Sequence, residues 1–98
     1  MTPFINTVRP REARPAYRCP CCYFTTLHGR GDYDVCPVCS WEDDGQDDHD
    51  ADEVRGGPNS DVSLTEARAN FRRMGAFIAE AAPYVRAATD EERKPPLP

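Results

Sequence analysis

The 98-residue sequence predicts one small α+β domain: a β-hairpin built around two cysteine pairs, followed by a C-terminal amphipathic helix. Three observations predict it. Cysteines fall in two C-x-x-C units, Cys19-Pro20-Cys21-Cys22 and Cys36-Pro37-Val38-Cys39, with thirteen residues between Cys22 and Cys36. Short runs of aromatic and β-branched residues flank them, divided by a glycine turn. A helix-start signal at Ser63 then opens an apolar stripe at helical spacing.

The cysteine pairs carry the most chemistry. A turn across two intervening residues brings thiols at i and i+3 to one side of the backbone, where N–H groups also donate to the sulfurs. Proline after the first cysteine of each pair fixes φ and stiffens that turn. The intervening stretch lets the chain reverse, so that the second pair faces the first. Cys19, Cys22, Cys36 and Cys39 are therefore expected to hold one Zn²⁺ tetrahedrally, in the manner of a zinc ribbon. Protein sulfur fills all four positions, which points to a structural ion and away from catalysis. Iron in a rubredoxin-like site is the alternative for four thiolates, although rubredoxins space their pairs more widely. Cys21 lies inside the first turn and reads as a small apolar filler. A redox-sensitive thiol beside the metal, or a replacement ligand, are its other readings. A dithiol enzyme would need the Cys-Pro-Cys-Cys run at a helix N-terminus, and the strand-like Tyr23-Phe24-Thr25-Thr26-Leu27 follows it instead.

Residues 1–16 contain prolines at 3, 10 and 15 and read as an extended arm, with Phe4 and Ile5 available to pack on the domain. The domain proper is placed at 17–88. Within it Tyr23–Leu27 reads as a strand, residues 28–32 as a turn that leaves His28 in solvent, and Tyr33-Asp34-Val35 as the returning strand. Ser40-Trp41-Glu42 can add a third short strand, with Trp41 in the core against Phe71 or Met74. Ser63-Leu64-Thr65-Glu66 fits a capping box. Leu64, Ala67, Phe71, Met74, Ile78 and Ala81 then form a stripe, with Phe77 at its edge, which predicts a helix over 64–82 that Pro83 ends. Residues 89–98 are expected to be a flexible tail.

Composition limits the function. Apolar residues make up 39% and mean hydropathy is −0.73, so the core is small, and domains of this size often recruit a metal. No apolar run reaches the ~20 residues of a membrane span and no signal peptide is apparent, so a cytoplasmic protein with reduced thiols is expected. Eleven of the twelve basic residues are arginine, in keeping with a GC-rich bacterial genome. The net charge of −5 is uneven. Residues 42–53 hold eight of the seventeen acids and none of the twelve bases, which leaves nine acids against twelve bases elsewhere, a balance of +3. This segment, with His49, does not fit a calcium loop, because Glu53 stands where such a loop needs glycine. Its default reading is a solvated face too polar to pack, partly offset by Arg55, Arg68, Arg72 and Arg73.

Tyr17-Arg18-Cys19-Pro20-Cys21-Cys22, Thr26-Leu27, the run Gly31 to Asp44 containing Cys-Pro-Val-Cys-Ser-Trp-Glu-Asp-Asp, Gly57-Pro58-Asn59 and Ser63 to Phe71 together resemble the bacterial cysteine-rich CPCC family. The resemblance spans roughly residues 17 to 77. It implies a small zinc-binding protein and supplies no activity. Tyr23 departs from the glycine that the family more often carries there, so a tyrosine must fit a tight turn exit.

With no open metal position and no acid/base pair, binding is expected and an enzyme is not. The expected partner is a protein, with a basic one the natural fit, docking on the acidic surface. An inhibitor or immunity-type protein that neutralises a basic toxin or nuclease is a special case. A nucleic-acid-associated ribbon using Arg9, Arg11, Arg14 and Arg18 is the other class, which the net charge opposes.

Overall fold

The computed structural model describes residues 15–96. Expectations for Phe4, Ile5, Arg9, Arg11 and Arg14 fall outside that range. The described part is α+β: a two-stranded antiparallel hairpin, β1 (Tyr17–Arg18) and β2 (Thr25–Leu27), and a principal helix, α1 (Leu64–Met74), with a further helical turn, α2 (Asp90–Arg93).

Strand pairing differs from the sequence expectation. β2 pairs with β1, Tyr17 opposite Leu27 and Arg18 opposite Thr25, and not with residues 33–35. Val35 instead forms a lone antiparallel bridge with Glu42. Each cysteine turn therefore closes its own local hairpin. The reason is geometric: a turn sharp enough to converge two thiols already reverses the chain, so its flanks pair with each other.

α1 begins at the expected N-cap, Ser63, whose Oγ accepts from the Glu66 N–H; the reciprocal Glu66 carboxylate bond of the expected capping box is not formed. It ends at Met74, eight residues before the expected stop at 82. Gly75 adopts the left-handed conformation (φ 82°) and its N–H returns to the Phe71 carbonyl, a glycine C-cap. Beyond it the chain turns back over the second cysteine turn. Phe77 N–H donates to the Cys39 carbonyl at 2.9 Å, and Asn70 Nδ2 donates to the Phe77 carbonyl at 2.9 Å. A 3-10 helix, Ala79–Tyr84, follows and contains Pro83.

The domain boundary placed at residue 88 falls before a packed element. Thr89 and Glu92 form a complete capping box at the start of α2, and Glu92 is buried and chelated by both Arg86 Nη atoms at 2.8 Å. The Thr25 hydroxyl donates to the Lys94 carbonyl, tying this turn to β2.

The core joins all five cysteines to Leu27, Val38, Leu64 and Phe77, with Trp41 at its centre, fully buried. Trp41 meets Phe77 edge-on at 5.7 Å between ring centroids, whereas Phe71 meets Phe24. Met74, expected to pack, is 39% exposed.

Candidate metal centre

The two cysteine turns repeat one backbone plan at an offset of seventeen residues. In the first, Tyr23 N–H donates to the Cys19 carbonyl (2.8 Å) and Cys19 N–H to the Phe24 carbonyl (2.9 Å). In the second, Ser40 N–H donates to the Cys36 carbonyl (2.8 Å) and Cys36 N–H to the Trp41 carbonyl (3.0 Å). The residue leaving each turn is left-handed, Tyr23 at φ 68° and Ser40 at φ 73°. A conformation that favours glycine is thus imposed on a tyrosine and a serine. For Tyr23, the Arg68 guanidinium lies 5.2 Å from the ring centroid, a contact that helps hold the side chain in place.

These turns deliver the expected four sulfurs to one buried point. The Sγ atoms of Cys19, Cys22, Cys36 and Cys39 all lie within 4.8 Å of one another. The Cys19–Cys39 and Cys22–Cys36 separations are 3.6 and 3.7 Å. A regular tetrahedron of thiolates about 2.3 Å from a metal has an edge of ~3.8 Å. The donor set therefore fits a single tetrahedral ion. It does not resemble two disulfides, and all five cysteines are free. Cys21 is buried but stands outside the tetrad.

The four thiols shift one another's protonation. Hydrogen bonds from Cys19, then Cys22, Cys39 and the Thr26 hydroxyl hold Cys36 well below the ordinary thiol range, against the effect of burial. Cys19 is pushed up, first by hydrogen bonding with Cys22 and then with Cys36; Cys39 is pushed up chiefly by Cys19. The four thiols are buried together and hydrogen-bonded to one another, and metal binding to such a set requires displacement of their protons. Thr26 Oγ1 lies 3.0 Å from Cys36 Sγ and Val38 N 3.4 Å, so the most thiolate-like sulfur is the one with outer-sphere donors. The N–H donation was expected from turn geometry; the Thr26 hydroxyl was not, because it lies ten residues away in sequence.

The acidic segment departs most from expectation. It packs. Asp43 and Gln46 are fully buried and Asp50 nearly so. Asp43 Oδ2 accepts from Arg30 Nε (2.8 Å) and Gly31 N–H (2.8 Å), and Oδ1 from Gly45 N–H (3.1 Å). Arg30 reaches further to Asp47 and to the Gln46 carbonyl. Arg55 pairs with Asp50. Arg68 links Asp48 to the Pro20 carbonyl of the first cysteine turn. Of the four arginines expected to offset this segment, Arg55 and Arg68 do so, and Arg72 and Arg73 do not. Arg30, which sequence reasoning passed over, makes the largest contribution. Asn59 clamps the Glu42 backbone, its Oδ1 accepting from the N–H (3.0 Å) and its Nδ2 donating to the carbonyl (2.7 Å). The family-like Trp-Glu-Asp-Asp and Gly-Pro-Asn runs thus serve one job, fixing the strand that leaves the second cysteine turn. His28 faces solvent as read, with Asp34 as its neighbour at 3.4 Å.

These are the runs that decide the family. The chain matches the family described as Cysteine-rich CPCC over residues 17–92. It belongs to that family. The matched span holds both cysteine turns, the Arg30–Asp43 anchor, α1 and Glu92, so the family extent coincides with the packed part of the fold. Comparison with curated proteins and with solved structures returned no match. Among the described residues, no helix is long and apolar enough to cross a membrane.

Proposed function

We propose that this CPCC protein is a structural-zinc module that works by binding a protein partner and not by turnover. The observation that carries the reading is the closed sulfur tetrad. Four protein donors at tetrahedral spacing leave no exchangeable position, and catalytic zinc keeps one. The paired turns, each with its own local hairpin, are the arrangement a zinc ribbon uses. Zinc is favoured over iron because a d¹⁰ ion suits a site whose role is to hold two loops together without redox chemistry.

The partner surface is the acidic one, in a narrower form than composition suggests. Asp43, Asp47, Asp48 and Asp50 are engaged by Arg30, Arg68 and Arg55. The acids that remain outward with no ion pair among the described residues include Asp61 and Glu66, on either side of the start of α1, and Asp52, brought there by the Thr65–Asp52 hydrogen bond. Charges placed so steer a basic partner and set a salt-dependent association rate.

Two measurements test this. The purified protein is expected to carry one zinc per chain and to show none of the visible absorption that iron–thiolate bonds produce. A variant with Asp52→Asn, Asp61→Asn and Glu66→Gln is expected to keep its zinc and its circular dichroism while losing salt-sensitive capture of a native partner. Retained capture by that variant would remove the acidic-surface reading and leave the zinc reading standing.

A further inference from the structure

Away from the acidic face, a group of apolar side chains is only partly covered, and Met74 among them is exposed. A cleft of about 370 Å³ runs between α1 and the segment that precedes α2. Phe24, Phe71, Met74 and Val85 line it and Val38 also contributes. Its location beside the second cysteine turn is fixed by the Arg86 N–H, which donates to the Pro37 carbonyl. Met74 belongs to the apolar stripe of α1, yet among the described residues it stays 39% exposed, because Gly75 turns the backbone away before the end of the stripe can be buried. An exposed methionine beside half-buried aromatic rings that line a concavity marks a surface that receives another protein.

Charge identifies the occupant. Arg86 and Arg93 border the cleft. Arg86 is committed to Glu92. Arg93 is not committed: its guanidinium lies 5.6 Å from the Phe24 ring centroid and has no carboxylate partner among the described residues. Arg72, beside Phe71 on α1, also lacks one among them. A guanidinium stacked on an aromatic ring still presents its N–H fork, which suits a carboxylate next to an apolar group.

We propose that this cleft docks an acidic segment of a protein partner, which inserts one aromatic or branched apolar side chain beside Met74 and Phe71 and presents a carboxylate to Arg93. This site takes the charge opposite to that taken by the acidic face, so its success or failure is read separately.

The probe is a short blocked peptide with tryptophan and leucine flanked by glutamates, titrated into ¹⁵N-labelled zinc-loaded protein. Its counterparts carry lysine for each glutamate, or alanine for the two apolar residues. Saturable shifts centred on Phe24, Phe71, Met74 and Val85 are expected with the first peptide alone. Arg93→Gln is expected to weaken that binding about threefold to fivefold, as for one exposed ion pair. Met74→Ser, which removes the anchor's contact without touching charge, is expected to weaken it as well. Equal binding of the lysine peptide overturns the proposal, as does no saturable shift at the cleft with any peptide. The same shifts on concentrating the protein alone would name a second copy as the occupant, and that also overturns it.

Discussion

Replacing Asp43 by asparagine tests whether the acidic segment is held by its internal partners. The Asp43 carboxylate is fully buried and accepts three hydrogen bonds, from Arg30 Nε, Gly31 N–H and Gly45 N–H. Asparagine keeps the shape but turns one acceptor oxygen into a donor, which then faces another donor. It also leaves the Arg30 guanidinium, 31% exposed, with Asp47 as its one remaining carboxylate partner beside the Gln46 carbonyl. Removing one partner of a buried pair costs about 3–5 kcal/mol. For a domain of this size each kcal/mol lowers Tm by roughly 4–8 °C, so a fall of at least about 12 °C is expected. Thermal unfolding at a fixed excess of free zinc holds the metal contribution constant. Asp52→Asn, at an exposed acid, serves as the control and should change stability by under about 0.5 kcal/mol. A cost below about 1 kcal/mol for Asp43→Asn would refute the packed reading of this segment and return it to a solvated face.

Further outcomes follow from local geometry. Ser40→Gly relieves a left-handed non-glycine residue and should raise stability by roughly 0.5–1 kcal/mol, whereas Gly75→Ala, whose added Cβ meets nothing within 4 Å, should lower it by about 1–2 kcal/mol through conformation alone. Chemical denaturation at constant zinc reads both, and a stabilising Gly75→Ala would contradict the assigned C-cap. The Arg86 guanidinium, with further donation from Thr89, holds the Glu92 carboxyl below the usual glutamate range despite burial. A depressed carboxyl adds stability that is present above its unfolded value near 4.5 and is lost as pH falls through the lower folded value. A ¹³C carboxyl titration should therefore place the Glu92 midpoint below 4.5, and Arg86→Ala should move it upward.

Much of the site was legible because the determinants are local. Cysteine spacing and proline placement are properties of a few adjacent residues, and they sufficed to name the tetrad. Ser63 and Trp41 were legible for the same reason. The misreadings are non-local or involve competing signals. The apolar stripe argued for a helix to residue 82, and Gly75 after Arg72 and Arg73 argued for a stop; the backbone follows the glycine, because Phe77 and Ala76 are buried against the second cysteine turn instead. Thr89-x-x-Glu92 is a capping box that could have been read directly, and proline density after Lys94 masked it. The acidic segment could not be read from its own composition, since Arg30 lies thirteen and seventeen residues upstream of Asp43 and Asp47 and only the fold brings it to them. Strand pairing failed because each cysteine turn is its own hairpin, a consequence of turn geometry that residue patterning along the strands does not report.

Metal content across two cysteine variants tests the central claim most directly. Protein purified without chelator, measured by elemental analysis and native mass spectrometry, should hold one zinc per chain. Cys21→Ser should keep that stoichiometry, and Cys36→Ser should lose tight binding together with the fold around both cysteine turns. A wild-type chain with no bound ion and its sulfurs joined as cystines, or a Cys21→Ser variant that loses its metal, would contradict it.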